Sequence, residues 1–237
     1  MRAMILAAGR GERMRPLTDH CPKPLLPVGG QPLITWHLQA LAQAGIRDIL
    51  INHAWLGEQI EAALGNGQPW SVRLQYSRET QALETAGGIA RALPFFQDQP
   101  FLVVNGDIWC DWDPAQALRW ADKLSPRAQA HLLLVDNPDH HPDGDFSLYP
   151  DGRVDEKQAA SADIPCLTFA GIGLYRPSLF ATTSPDHPAP LAPLLRQAMA
   201  GQAVQGTHHL GSWVDVGTPQ RLALLDARLR GKIRNQL

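Results

Sequence analysis

No Gly-Lys-Ser or Gly-Lys-Thr triplet occurs in the 237-residue chain, which excludes a Walker-type phosphate loop. Cysteine is scarce and odd in number: Cys21, Cys110 and Cys166 lie far apart, with no Cys-x-x-Cys pair. That pattern suits a reducing compartment such as the cytoplasm and predicts no structural zinc. No apolar run approaches membrane-spanning length, so no membrane partner is expected. The N-terminal apolar run is too short for a signal peptide and is broken at Gly9. With a formal net charge of −2 there is no global field for nucleic acid, so any affinity for phosphate has to come from local geometry.

What is present describes a globular enzyme-sized domain. Hydrophobic residues make up 44% and charged residues 19% of the chain, an ordinary soluble balance with ample length for a core. Strand-like and helix-like segments alternate. Met4 to Ala8, Asp48 to Asn52, Val72 to Tyr76, Phe101 to Asn105, His131 to Val135 and Thr168 to Tyr175 read as strands. Pro32 to Ala44 with Gly45 as its stop, Leu56 to Leu64, a segment capped by Thr85 and running to Leu93 where Pro94 ends it, a start at Asp113-Pro114, Leu191 to Met199 and Pro219 to Leu229 read as helices. Ser184 to Pro190 reads as a loop. Such alternation predicts an α/β fold with a mainly parallel sheet covered by helices. Between Asn137 and Asp163 prolines, glycines and acidic residues dominate, and Tyr149-Pro150-Asp151-Gly152-Arg153 reads as a turn between two antiparallel strands. A small antiparallel extension is therefore expected within a single domain spanning residues 1–237.

Chemistry concentrates in the first 27 residues. The strand ending at Ala8 runs into Gly9-Arg10-Gly11, with Arg13, Arg15 and Lys23 following. Glycines let backbone approach a ligand closely, and the cations are suited to a polyphosphate. Gly9-x-Gly11 is not the dinucleotide fingerprint, because Met14 holds the third glycine's place. The acidic ribose-binding residue expected roughly 20 positions on is also missing, where Val28-Gly29-Gly30-Gln31 stands. Pro22 and Pro24 fix the backbone on both sides of Lys23, so its ammonium loses little entropy on meeting phosphate. A plain exposed lysine in a proline-rich loop is the alternative.

Leu6-Ala7-Ala8-Gly9-x-Gly11-x-Arg13-Met14-x-Pro16-Leu17-Thr18, followed by Pro22-Lys23-Pro24-Leu25, resembles the sugar-1-phosphate nucleotidyltransferase family. Asn105-Gly106-Asp107 after the Phe101 strand, and Trp213-Val214-Asp215-Val216-Gly217-Thr218, extend the likeness along the chain. The resemblance implies a Rossmann-like nucleotidyltransferase sheet, with a nucleotide-binding part at about 1–110 and a sugar-binding part at about 111–218. It implies Arg13 and Lys23 as catalytic cations and nucleotide contacts from Leu6, Ala8, Gly9, Gly11, Glu12, Arg13, Lys23 and Gly88. It further implies sugar-phosphate contacts from Asn105, Asp145 and Glu156, and Mg²⁺ held by Asp107 and Asp215. Asp215 has a second reading as a helix cap before Pro219, although Thr218 is better placed for that.

The substrates so implied are a nucleoside triphosphate, UTP by preference, and a sugar 1-phosphate. Leu83-Glu84-Thr85-Ala86-Gly87-Gly88 departs from the family's Leu-Gly-Thr-Ala-Gly at Glu84. The run Asn52-His53-Ala54-Trp55-Leu56, the loop His140-His141-Pro142-Asp143-Gly144-Asp145-Phe146 and the shortness of the chain resemble members that use N-acetylmuramate 1-phosphate. Asp143 and Asp155-Glu156-Lys157 are further candidates for contact with the sugar, and the pairs His140-His141 and His208-His209 are expected at the surface or on the sugar. Mannose or glucose 1-phosphate remains the neighbouring alternative. An inactive nucleotide-binding subunit and a glycosyltransferase are alternatives of other kinds, although the Asp111-Trp112-Asp113 spacing runs into Pro114 and reads as a helix start.

Overall fold

A computed structural model describes residues 1–157 and 164–234; the last six residues of the acidic stretch expected to end at Asp163 lie outside the described residues. The elements, in chain order, are β1 (Arg2–Leu6), α1 (Leu33–Gln43), β2 (Asp48–His53), α2 (Gly57–Leu64), β3 (Arg73–Arg78) and α3 (Glu84–Phe96). They continue with β4 (Phe101–Asn105), β5 (Ile108–Cys110), α4 (Ala115–Lys123), β6 (Ala130–Val135), β7 (Phe146–Leu148) and β8 (Val154–Glu156). The last are β9 (Cys166–Tyr175), α5 (Leu191–Ala200), β10 (Val204–His209), β11 (Trp213–Asp215) and α6 (Pro219–Arg234).

Among the described residues nine strands form one sheet, whose main path runs β8-β7-β9-β4-β1-β2-β3, with β6 against β9 and β10 against β6. The pairs β1–β2, β1–β4, β2–β3 and β6–β10 are parallel. The long β9 is antiparallel to β4, β6 and β7. The chain leaves β1 toward β2 and β3 on one side, then returns to place β4 on the other. A crevice opens at such a reversal, beyond the carboxyl ends of β1 and β4. The expected extension is the β7–β8 hairpin, closed by Tyr149 N–H on Arg153 O (2.9 Å) and Gly152 N–H on Tyr149 O (2.9 Å).

Alternation along the strands explains why both faces are covered. Ala3 and Ile5, Ile49 and Ile51, Leu102 and Val104, and Leu133 and Val135 point into one core with α1, α2 and α4. Met4, Leu50, Phe101, Val103, Leu132 and Leu134 point into the opposite core with α3 and α5. A third cluster joins Met14 of the glycine loop to Leu26, Val28, Trp109 and the inner face of α6. The loop is thereby tied to packed hydrophobic structure at Met14.

Several sequence expectations need correction. Helix α3 begins at Glu84 after Leu83, without a side-chain cap, so Thr85 lies inside it rather than capping it, and it passes through Pro94 to Phe96. A proline inside a helix costs about 3 kcal/mol. Burying a phenylalanine contributes a similar amount, about 3–5 kcal/mol by the cost of its removal. Phe96 is 1% exposed and stacks on Phe101 with centroids 3.8 Å apart, which offsets the proline. Strands β5, β10 and β11 were not anticipated; two of them have three residues, too few to show a period. Helix α6 runs five residues beyond Leu229. The start near Asp113 is as expected, with Asp113 Oδ1 accepting from Ala115 N–H at 2.9 Å.

Beneath the crevice, His37 of α1 is buried, which pushes its pKa down from 6.5 to about 4 against the opposing pull of an Ile108 backbone hydrogen bond and the charge of Asp107. Among the described residues its Nε2 has no hydrogen-bond partner. The folded state therefore favours the neutral ring, whose contribution is whole above pH 6.5 and declines as pH falls toward 4. Urea unfolding is expected to show about 2 kcal/mol less stability at pH 5 than at pH 6.5 from this residue. His37→Leu should flatten that slope by close to one proton; an unchanged slope would acquit the histidine.

Candidate active site

The glycine loop is built by short-range bonds that leave one face open. Ala7 N–H donates to Asn52 Oδ1 at 3.0 Å, fixing where the chain leaves β1. Gly11 has φ +67°, and a Cβ there would lie 3.1 Å from Thr18 Cγ2 and 3.3 Å from Lys23 Cβ. Thr18 Oγ1 donates to Gly11 O at 2.8 Å, and Met14 N–H closes a turn on the same oxygen at 2.9 Å. The loop's three arginines separate at this point. Arg10 stacks on Trp55 at 3.6 Å, donates to Thr18 O and pairs with Asp19 at 3.2 Å. Arg15 also pairs with Asp19, at 2.8 Å. Arg13 lies on the wall of the crevice.

Lys23 opens a short 3-10 turn, with Pro22 before it and Pro24 within it. Its side chain is only 8% exposed, and Nζ meets Asp107 Oδ2 at 2.7 Å. The plain surface lysine is therefore ruled out. Burial of a lysine side chain calls for a partner to offset its desolvation, and the 41%-exposed side chain of Asp107 stands on the open side of the pair. Asp107 follows β4 directly, in the turn where Gly106 N–H donates to Leu6 O at 2.8 Å.

Asp215 arrives from the other end of the chain. Strand β11 pairs antiparallel with β5, with Asp215 opposite Ile108, and Val216 N–H donates to Asp107 O at 2.9 Å. The ladder thus sets the two aspartates side by side along the backbone. Thr218 is the helix cap, its Oγ1 accepting from Arg221 N–H at 3.3 Å, which leaves Asp215 to the crevice. Asp215 Oδ2 pairs with Arg221 Nη1 at 3.0 Å and lies 3.5 Å from His140 Nε2; Arg221 and His140 also touch through a short contact.

The crevice has two lobes. The first, about 520 Å³, takes in Leu6, Ala8, Gly9, Gly11, Glu12, Arg13 and Lys23, together with Asn52, Glu84, Thr85, Asn105 and Asp107. The second, about 410 Å³, is walled by His140, His141, Phe169, Trp213 and Asp215. Arg13, Asn105 and Asp107 belong to both. Two lobes meeting at a cation, an amide and a carboxylate can hold two anionic ligands against each other.

Three expected contacts fall elsewhere. Gly88 lines neither lobe; it is buried beside a polar pair, where Asn52 Nδ2 donates to Glu79 Oε1 at 2.7 Å. Glu79 Oε2 in turn accepts from Leu83 N–H at 2.9 Å, so the pair ties β1, β2 and the start of α3 together. Asp145 is occupied in holding its loop, with Oδ2 accepting from Phe169 N–H (2.8 Å) and Oδ1 3.0 Å from His141 Nε2. Glu156 is exposed at the end of β8 and lines neither lobe, while Asp155 and Asp143 face Arg153 and Lys157. Asn52, Glu79 and Arg221 were not anticipated. Asn52 did leave a trace, as a polar residue closing the apolar run Ile49-Leu50-Ile51. Glu79 and Arg221 left none: neither stands in a motif, and their roles appear only once Asn52 and Asp215 are placed beside them.

A Cβ at Gly88 would stand 2.8 Å from Asn52 Nδ2 and 3.0 Å from Glu79 Oε1, whereas one at Gly9 would meet nothing within 4 Å. Gly88→Ala should therefore destabilise by about 1–3 kcal/mol in urea unfolding. Gly9→Ala should stay within about 0.5 kcal/mol of the parent. Equal effects of the two would refute this division of roles.

Residues 2–230 match the family described as nucleotidyl transferase. The chain is 56% identical over 223 residues to the N-acetylmuramate alpha-1-phosphate uridylyltransferase of Neisseria meningitidis serogroup B, covering 94% of this chain and 95% of that one. It is 36% identical over 235 residues to the enzyme of the same name from Caulobacter vibrioides, covering 96% of each. In structure it resembles a Bacillus anthracis protein described as a glucose-1-phosphate thymidylyltransferase in complex with sucrose, at TM-score 0.82 and 24% identity, over 97% of this chain and 95% of that one. That likeness speaks for the fold alone.

Proposed function

Because the chain belongs to the nucleotidyl transferase family, we propose that it transfers UMP from UTP to N-acetylmuramate 1-phosphate, giving UDP-N-acetylmuramate and pyrophosphate. We place this reaction in the cytoplasm, in the recycling of peptidoglycan. The 56% identity over nearly all of the Neisseria enzyme supports both the base and the sugar. The observation that carries the reading is the shared wall of Arg13, Asn105 and Asp107, where two phosphate-bearing substrates would meet. The larger lobe takes the nucleotide and the lobe beside His140 and Asp215 takes the sugar. In sequence this assigns the nucleotide to about residues 1–110 and the sugar to about 111–218.

A phosphate oxygen of the sugar attacks the α-phosphorus, a new P–O bond forms, and the bond to the β-phosphate breaks as pyrophosphate leaves. The attacking oxygen is ionised near neutral pH, since the second pKa of such a phosphate is about 6. No protein base or covalent nucleophile is needed. The task is to align two polyanions and neutralise their charge. Arg13 holds the departing pyrophosphate, while Lys23, on its proline-braced turn, sits at the α-phosphate and the incoming phosphate. Asn105, between the lobes, donates to the sugar phosphate.

Asp107 and Asp215 would hold Mg²⁺, being hard oxygen donors of the type and number that ion takes from protein. When bound, the ion supplies charge neutralisation on the phosphate oxygens. Lys23 has a further duty toward Asp107: their pair keeps both charges in place before substrate arrives. Arg221 and His140 hold Asp215 in the same way.

Lys23→Ala and Asp107→Ala are each expected to lower turnover by about 10²–10³-fold with an unchanged circular dichroism spectrum. Near-normal turnover in a folded variant would remove that residue from the machinery. For specificity, pyrophosphate release with UTP and N-acetylmuramate 1-phosphate should exceed that with UTP and glucose 1-phosphate, or with GTP and mannose 1-phosphate, by at least about tenfold. The reverse order would reassign the substrates.

A further inference from the structure

At the far end of the β5–β11 ladder a second group of chemically active side chains converges, away from the crevice. Cys110 ends β5, Asp111 follows it, and His209 ends β10. Their ligand atoms all lie within 4.8 Å of one another. Asp111 Oδ1 is 2.8 Å from His209 Nε2 and accepts Ser212 N–H at 2.8 Å, while Asp111 N–H donates to Ser212 O at 3.0 Å. Cys110 is a free thiol, so its sulfur is not committed to a disulfide.

We propose that Cys110, Asp111 and His209 form a metal site distinct from the crevice, taking a zinc-type divalent ion and stapling β5 to the β10–β11 connection. One thiolate, one imidazole and one carboxylate make a donor set suited to zinc or cobalt, whereas magnesium favours oxygen alone. Three protein ligands leave a fourth position open. Cys110 and Asp111 also border a separate cavity of about 350 Å³, whose wall includes His37 and Trp112. Among the described residues His37 Nε2 and Trp112 Nε1 are buried without hydrogen-bond partners, so a water completing the coordination has polar atoms to meet in that cavity. The same ladder carries Asp215 and adjoins Asp107, so the staple would brace the strands that hold both crevice aspartates.

The test uses the full chain, stripped of metal by chelation and titrated with Co²⁺. One equivalent should bind and give the near-ultraviolet charge-transfer band of a cobalt–thiolate bond, which Zn²⁺ then abolishes. Zn²⁺ should raise the melting temperature by about 5 °C at saturating concentration, in Asp107→Asn as in the parent. Cys110→Ser should lose the band, and His209→Ala should weaken Co²⁺ by at least about tenfold, the loss that even outer partners of a ligand cause. Should Cys110→Ser fold poorly, His209→Ala and Asp111→Ala carry the test. Asp107→Asn should keep the band, which separates this site from the one proposed in the crevice. A band that survives Cys110→Ser, placing the metal on Cys21 or Cys166, would overturn the assignment. So would one lost with Asp107→Asn, or the absence of stoichiometric binding.

Discussion

A lysine that is 8% exposed cannot stand alone, and the pairing of Lys23 with Asp107 is the constraint on which the crevice depends. An isolated ammonium removed from water costs several kcal/mol, far more than an exposed salt bridge returns. Burial of Lys23 therefore obliges the proline-braced turn to lie against the end of β4. That contact brings together segments 84 residues apart and sets the distance between the glycine loop and the aspartates. It also holds a cation and an anion together at one point on the crevice wall.

The sheet supplies the rest of the geometry. Parallel strands β1, β2 and β4 end at the same edge, so Leu6, Asn52 and Asn105 all reach the first lobe. Antiparallel β9 then reverses direction beside β4 and contributes Phe169 and Ala170 to the second. Trp213 Nε1 donates to Ala170 O at 2.9 Å, which locks the short β11 onto this wall. Three residues of ladder would be marginal alone. They hold because Trp109 and Val216 sink into the cluster shared with α6 and Met14. The glycine loop and the strand bearing Asp215 thus rest on one hydrophobic base.

What could be read in the sequence was what local chemistry determines. The glycine loop, Arg13, Lys23 and Asn105-Gly106-Asp107 are contiguous motifs that all line one crevice, and Thr218 caps α6 as its position before Pro219 suggests. Features that need a distant partner were invisible or misread. Gly88 suggested an approach of backbone to ligand; the close approach is real, but the neighbour is the Asn52–Glu79 pair. Asp145 suggested a sugar contact; it lies outside both lobes, bonded to a strand amide and beside His141, which lines the second. Glu84 was noted as a departure from glycine, and the structure gives it φ +55°, a conformation glycine adopts without strain. The departure falls at the start of α3 on the wall of the first lobe, so backbone shape there is kept at a cost that the rest of the helix has to cover.

Charge placement follows the same economy of local arrangement. With a net charge of −2, the molecule has no field reaching beyond the screening length of about 8 Å at physiological salt to draw in a polyanion. Near the crevice the positive charges are sorted by partner. Arg10 and Arg15 share Asp19 outside the lobes, Arg221 is matched by Asp215, and Lys23 by Asp107. Arg13 stands on the wall common to both lobes. A ligand carrying one phosphate meets a site close to neutral, whereas one carrying several displaces the carboxylates' hold on their cations and brings its own counter-ion. On the proposed function, selectivity for a metal-bound triphosphate over simpler anions would follow from this pairing, without a strongly basic surface.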